Sequence, residues 1–329
     1  MTSEPFISIC TPTFNRRPFI ETMLQCYRNQ TYPKSKMEWI IIDDGTDKIE
    51  DLIKASTIQE IKYFPIEKKM KLGAKRNLMH EKTKGSIIIY MDDDDYYPPE
   101  RVAHAVETLV KNPQALCAGS SELYIYFKHI SKMYQSGPFG PTHATAGTFA
   151  FRRELLNFTR YEEEACLGEE RAFLKQYTIP FVQLDPMKTI LVFSHNHNTF
   201  DKKIMLNNEH PEFFKESPRR IKEFIKNKEE KPIYRFFLKD IDEKLKHYHL
   251  GESLHKPDVL KQIKEIDEQR KNSQGPMKIM MEVPGQGKRA LSGKEIVDAL
   301  SNQQEVIKKL TERVQELESK LQKIKLLAN

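Results

Sequence analysis

Cysteine is scarce in these 329 residues: only Cys10, Cys26, Cys117 and Cys166 occur. No two of them form a C-x-x-C pair, which argues against zinc ribbons and thioredoxin-type sites. Their wide spacing reads as free thiols in a reducing compartment, with Cys10 a buried one. Long apolar runs are also missing. No stretch approaches ~18 apolar residues, so no membrane span is expected. The start, "MTSEPFISIC", lacks the basic region and apolar core of a secretory signal. The sequence therefore predicts a cytoplasmic protein. Net charge is only +6, with 53 bases against 47 acids. That balance gives no reason to expect nucleic acid as a partner. Neither a G-x-x-x-x-G-K-[ST] phosphate loop nor an EF-hand calcium loop is present.

The first 200 residues alternate two signals. Short isoleucine-rich runs, "FISIC" (6–10), "EWIIID" (38–43), "IKYFPI" (61–66) and "SIIIYMD" (86–92), read as buried parallel strands. Helical patterns lie between them at 18–29, 47–56 and 72–84, and another begins at the prolines before Glu100. The alternation predicts an α/β fold with a mostly parallel sheet and helices on both faces. Ligands of such sheets bind outside the carboxyl ends of the strands. Those ends carry "TPTFNR", "DDGTD" and "DDDD".

Four adjacent carboxylates, Asp92 to Asp95, need a counter-charge. Hard oxygen ligands suit Mg²⁺, Mn²⁺ or Ca²⁺. In an extended turn, Asp92 and Asp94 would share one side and Asp93 and Asp95 the other. The other reading is a solvated cap for the helix beyond Pro99. Asp43 and Asp44, before Gly45, can accept from a base or a ribose. "KLGAKRN" offers Lys71, Lys75 and Arg76 at a helix start, suited to a pyrophosphate or to a plain basic surface. Glu169 and Glu170 stand at another helix start, where the macrodipole alone would favour acids. His195 and His197 follow a strand, and alternation would put both on one face.

Beyond residue 200 the character changes. Residues 202–272 hold 18 Lys/Arg and 14 Asp/Glu and read as helices with solvated faces. The Gly- and Pro-bearing stretch 273–293 reads as a linker with a short strand at "MKIMMEV". From 294 to 329 a heptad pattern places Leu300, Ile307, Val314, Leu321 and Ala328 at a, and Gln303, Leu310, Leu317 and Ile324 at d. This predicts a homodimer or trimer through a coiled coil, or else an amphipathic helix packed on its own domain. The expected organisation is a first domain over 1–200, a helical extension over 201–272, the linker, and the oligomerisation helix.

Taken together, "TPTFNR", "EWIIIDDGT", "GAKRN" with "KGSIIIYMDDDDYYPPERV", and "LGEERAFL" resemble the family 2 glycosyltransferases of GT-A fold over roughly residues 5–200. The resemblance implies a nucleoside diphosphate sugar donor, an inverting reaction and a glycan or protein acceptor. It implies that Pro12, Thr13 and Phe14 line the nucleotide and that Asp43 bonds the base. Lys71 and Arg76 would meet the diphosphate, and Asp92 or Asp93 the ribose. Asp94 would ligate Mn²⁺ or Mg²⁺, with His195 and His197 as further candidates. Gly147 and Thr148 would line the sugar, and Glu170 or Glu169 would be the catalytic base, where the family more often has aspartate. A catalytically silent nucleotide-sugar-binding scaffold and a nucleotidyltransferase are the competing functions.

Overall fold

The computed structural model describes residues 4–207 and 212–273, the stretches 280–283 and 287–290, and isolated helical positions between 302 and 317. The chain divides into two compact units, Met1–Lys264 and Glu265–Asn329.

The first unit begins with β1 (Ile7–Thr13), α1 (Ile20–Arg28), β2 (Met37–Asp43), α2 (Glu50–Ser56), β3 (Ile61–Pro65), α3 (Leu72–Lys82), β4 (Ile87–Tyr90) and α4 (Arg101–Lys111). β1 and β2 are buried along nearly their whole length, as continuous apolar strands of a covered sheet must be. Next come β5 (Cys117–Gly119), β6 (Leu123–Phe127), β7 (Lys132–Ser136), β8 (Ala150–Arg152), α5 (Glu170–Phe173), β9 (Phe181–Gln183) and β10 (Leu191–Ser194). The main sheet runs β3-β2-β1-β4-β8-β5-β9. Its first four strands are parallel, and β8 is antiparallel to both of its neighbours. Strand order reverses between β1 and β4, so a crevice opens where "TPTFNR" and "DDDD" leave the sheet.

Side chains alternate between two cores. Ile7, Ile9, Trp39 and Ile41 join residues of α1, α2 and α4 on one face. Cys10, Ile40, Ile42 and Ile88 join Met79 of α3 and Phe173 of α5 on the other. Helix α4 shows why the layers form: Val102, Ala105, Val106 and Leu109 recur at helical spacing and are buried together.

The extension does not stand apart. Strand β11 (Phe214–Glu216) pairs antiparallel with β7 and completes a second sheet of order β10-β6-β7-β11. Helices α6 (Lys231–Arg235) and α7 (Ile241–Lys246) flank a wider turn at 236–240. They bury Ile233, Phe236, Phe237, Ile241 and Leu245 in the first core. Phe237 stacks on Phe193 with centroids 3.9 Å apart. Burying each such side chain contributes about 2 kcal/mol, so the compact unit ends near Lys264 and not at 200.

Glu230 ties the extension to the acidic turn. It is 1% exposed and accepts from the Tyr96 hydroxyl at 2.5 Å. Its other oxygen accepts from the backbone N–H groups of Lys226 and Asn227. Glu230→Ala strands the two backbone donors and leaves the Tyr96 hydroxyl only its longer bond to Phe224 O at 3.1 Å, and a loss of about 3 kcal/mol is expected. A denaturant melt superimposable on wild type would refute that role.

Helix α8 spans Pro257–Ser273. In the second unit, β12 (Met280–Val283) and β13 (Gly287–Ala290) form an antiparallel hairpin, the first strand falling within "MKIMMEV". Of the heptad positions, Leu310, Val314 and Leu317 are helical and exposed. Leu300, Gln303, Ile307, Leu321, Ile324 and Ala328 lie outside the described residues. Among the described residues no helix is long and apolar enough to cross a membrane.

Candidate active site

A cleft of about 450 Å³ opens at the strand-order reversal. Pro12, Thr13 and Phe14 line it at the end of β1. The ammonium groups of Lys69 and Lys75 lie 5.3 and 5.9 Å from the Phe14 ring. Asn15 takes a left-handed φ of 52°, which Asn tolerates better than most residues, and Arg16 follows it into the cleft.

The two aspartates after β2 divide their work. Asp43 accepts from the N–H groups of Gly45 and Ile49 and from the Tyr63 hydroxyl at 2.6 Å. Its carboxylate is consumed in holding the turn, and it is absent from the cleft lining. Asp44 pairs with buried Lys75 and accepts from Met70 N–H at 2.6 Å. Burial lowers the pKa of Lys75 despite that partner. Lys71 is exposed in a pair with Glu164 and also lies off the cleft wall. Arg76 lies in the cleft, its Nε 2.8 Å from Glu169 Oε1 and its guanidinium carbon 4.5 Å from the Tyr90 ring centroid.

The aspartate quartet bends instead of extending, so strict alternation is lost. Asp93 and Asp94 face one guanidinium, with Arg16 Nε 3.4 Å from Asp93 and Nη2 3.1 Å from Asp94. Burial pushes Asp93 up to about 7 against the pull of Arg16. Burial acts on Asp94 too, but Arg16 and His195 outweigh it and hold that carboxyl well below the usual range. Asp95 turns inward and accepts from Phe193 N–H at 3.2 Å, so it caps no helix. Asp92 meets Gly147: a Cβ there would come within 2.7 Å of its Oδ2, so a side chain at 147 would have to displace the carboxylate. Thr148 is fully buried, its hydroxyl accepting from Ser120 N–H and donating to Thr145 O. Arg101 supports this loop from beneath, its Nη2 donating to the carbonyls of Tyr90, Thr148 and Phe149.

Opposite the aspartates, Gly168 takes a φ of +63° and turns the chain into the short helix α5. Glu169 is 6% exposed and held by Arg76. Glu170 lines the cleft half-buried, pushed up to about 7 by burial and by the charge of Glu169. A carboxylate with a pKa near neutrality is suited to accept a proton.

The histidines separate because β10 ends at Ser194 and the chain then turns. His195 Nε2 lies 3.5 Å from Asp94 Oδ2. His197 packs instead beside Tyr248 and Gly251, where a Cβ would meet its Nδ1 at 2.5 Å. Burial lowers His195 to about 4, keeping the imidazole neutral; its Nδ1 accepts from His197 N–H, and its Nε2 also lies 2.9 Å from Asn198 Nδ2. Among the described residues, buried Asp92 Oδ1 and Asp93 Oδ2 have no hydrogen-bond partner. Carboxylate and imidazole suit Mn²⁺. Among the described residues no three His, Cys, Asp or Glu converge on one point. The donor set therefore fits a cation held by two protein ligands and completed by phosphate oxygens, a usual arrangement for small divalent ions.

The cleft thus gathers Pro12, Thr13, Phe14, Arg76, Asp92, Asp93, Asp94, Gly147, Thr148, Glu169 and Glu170, with His195 against Asp94. Asp43, Lys71 and His197 are turned to structural partners. Arg16 was missed, although it stands inside "TPTFNR" and the quartet called for a cation. Lys69, Lys202 and Lys256 also line the cleft, and nothing in their local sequence marks them out.

With fold and cleft in place, the class follows: residues 8–177, just over half of the chain, match the family described as Glycosyl transferase family 2, and the chain belongs to that family. The mixed, mainly parallel sheet with helices on both faces fits the GT-A architecture expected of it. Glycosyltransferase AglE of Haloferax volcanii is 27% identical over 126 residues, covering 37% of this chain and 41% of that protein. Poly(ribitol-phosphate) beta-N-acetylglucosaminyltransferase TarS of Staphylococcus aureus is 27% identical over 109 residues, covering 30% of this chain and 18% of that protein. The alignments thus span less than half the length of these curated relatives. Among solved structures, mannosyltransferase PcManGT of Pyrobaculum calidifontis, in complex with GDP-Man and Mn²⁺, superposes with a TM-score of 0.49 at 16% identity, covering 60% of this chain and 59% of that one.

Proposed function

We propose that the chain is a metal-dependent inverting glycosyltransferase. It moves a sugar from a nucleoside diphosphate sugar, with UDP as the expected nucleotide, to a hydroxyl of a glycan or protein. One observation carries this reading: Glu170, a half-buried carboxylate with a pKa near 7, lines the same cleft as the Asp93–Asp94 pair. Phe14 offers a ring for the base, and Asp92 and Asp93 have free carboxylate oxygens for the ribose side. The Gly147–Thr148 loop forms a close-packed wall for the sugar.

Glu170 accepts the proton as the acceptor oxygen attacks the anomeric carbon. The bond from that carbon to the diphosphate oxygen breaks, and the electron pair stays on the phosphate. Attack from the side opposite the leaving group inverts the centre. Glu169, engaged by Arg76, orients the helix start. Asp94 and His195 would hold Mn²⁺ or Mg²⁺. When bound, that ion supplies Lewis-acid neutralisation of the diphosphate charge. Exposed Leu310, Val314 and Leu317 support self-association as a homodimer or trimer through the C-terminal heptads.

Donor hydrolysis with Mn²⁺ over a broad panel of nucleotide sugars, comparing wild type with Asp94→Ala, tests the reading. Turnover by wild type and at least a tenfold loss in the variant are expected. Unchanged turnover in the variant removes Asp94 from the site. Wild type inert in both hydrolysis and transfer points to a nucleotide-sugar-binding scaffold.

A further inference from the structure

Lys256 is out of place by ordinary rules for lysine. It precedes α8, is 5% exposed, and lines the cleft beside Arg16, Asp93 and Asp94. Among the described residues its ammonium makes one hydrogen bond, a long one from Nζ to Thr199 Oγ1 at 3.3 Å. Among the described residues it forms no ion pair, whereas the other buried cleft cations do: Arg16 has Asp93 and Asp94, Lys75 has Asp44, and Arg76 has Glu169. Ammonium groups are almost never this buried unless paired. Burial and the nearby Arg16 pull it down to about 7, with Asp94 and Asp93 pulling the other way.

The position of Lys256 is also firmly set. Its carbonyl accepts from Leu260 N–H at 3.1 Å, starting the helix. Two residues on, Asp258 pairs with Lys69. One turn further, Gln262 Oε1 accepts from both Cys166 N–H and Leu167 N–H at 2.8 Å. The first turns of α8 thus hold both the basic stretch before α3 and the loop that leads to Glu170. A basic side chain fixed this well, buried and without an ion pair among the described residues, is prepared for an anion that enters the cleft.

We propose that Lys256 is a diphosphate-binding residue, contributed from beyond the part of the chain that matches the family, and that it meets the phosphate next to the transferred sugar. This rests on the donor class proposed above. As the bond from the anomeric carbon to the phosphate oxygen breaks, that oxygen keeps the electron pair. The Lys256 ammonium then exchanges Thr199 for the newly charged phosphate, while the acceptor proton goes to Glu170.

The test is calorimetric binding of UDP, UMP, GDP and GMP, with Mn²⁺ in every arm, to the full chain and to Lys256→Met, Lys256→Gln and Lys256→Arg. Wild type should prefer a diphosphate to its monophosphate. Lys256→Met should weaken the diphosphate about tenfold or more and leave the monophosphate within about twofold, and Lys256→Arg should recover most of the loss. Lys256→Gln keeps a partner for Thr199 and decides the case if the Met variant does not fold. Equal loss for both ligand types, or none for either, overturns the proposal while leaving the donor reading intact. Wild type binding neither diphosphate, together with an inert donor panel, would overturn both.

Discussion

Glu170→Gln is expected to lower transfer to an acceptor by roughly 10²- to 10⁴-fold, the range for losing a positioned general base. Binding of nucleoside diphosphate should stay within about twofold. Gln preserves shape and hydrogen bonding but cannot take a proton, and Glu169 cannot substitute because Arg76 holds it. The wild-type rate should rise with pH through about 7, where burial and the charge of Glu169 have placed the Glu170 titration. The stability effect has a defined sign. A carboxyl whose folded pKa lies above its unfolded value favours the fold at low pH and loses that contribution as pH rises through the folded value. The Gln variant should therefore match wild type in Tm near pH 5 and exceed it at pH 8.5. Transfer at the wild-type rate, or donor binding lost together with transfer, would remove Glu170 from its role.

The second large effect belongs to Arg16. Its guanidinium serves Asp93 and Asp94 together and donates from Nη1 to His197 O at 2.5 Å. Arg16→Met leaves two buried carboxylates facing each other without their ion-paired guanidinium. Breaking a buried pair from one side costs about 3–5 kcal/mol, roughly 10 °C in Tm for a unit of this size. Mn²⁺ should then raise the Tm of the variant more than that of wild type, because the guanidinium no longer competes for the same oxygens. Thermal melts with Mn²⁺ and with EDTA read this directly. Equal metal shifts in both proteins would mean that guanidinium and ion occupy separate places.

These carboxylates mark where the sequence could be read and where it could not. The parallel half of the sheet was legible because Ile7, Ile9, Ile40, Ile42, Ile87 and Ile89 lie in short continuous apolar runs that only covered strands tolerate. The division within the quartet was not legible: identical letters carry no register, and the bend that sets it depends on Arg16 and Phe193, distant in sequence. Asp43 and Asp44 show the same limit, since which of them is consumed by the turn depends on Tyr63 and Lys75. His195 and His197 were paired by strand alternation, a rule that lapses once β10 ends. The extension was read as solvated because its charges dominate. Phe236 and Phe237 are nonetheless buried, through a wider helical turn that shifts the helical period locally. Lys256 was one of 18 basic residues between 202 and 272, and only three-dimensional placement separates it from the rest.

The Tyr96–Glu230 bond has a consequence in time as well as in space. Its partners lie 134 positions apart, so a ribosome adding about 5–20 residues per second delivers Glu230 on the order of ten seconds after Tyr96. Through that interval the nascent sheet holds its acidic turn without the acceptor that anchors it, and without Phe236 and Phe237 over one of its faces. The cleft edge of this protein is therefore among the last parts to mature during synthesis, although most of its residues are among the first to be made.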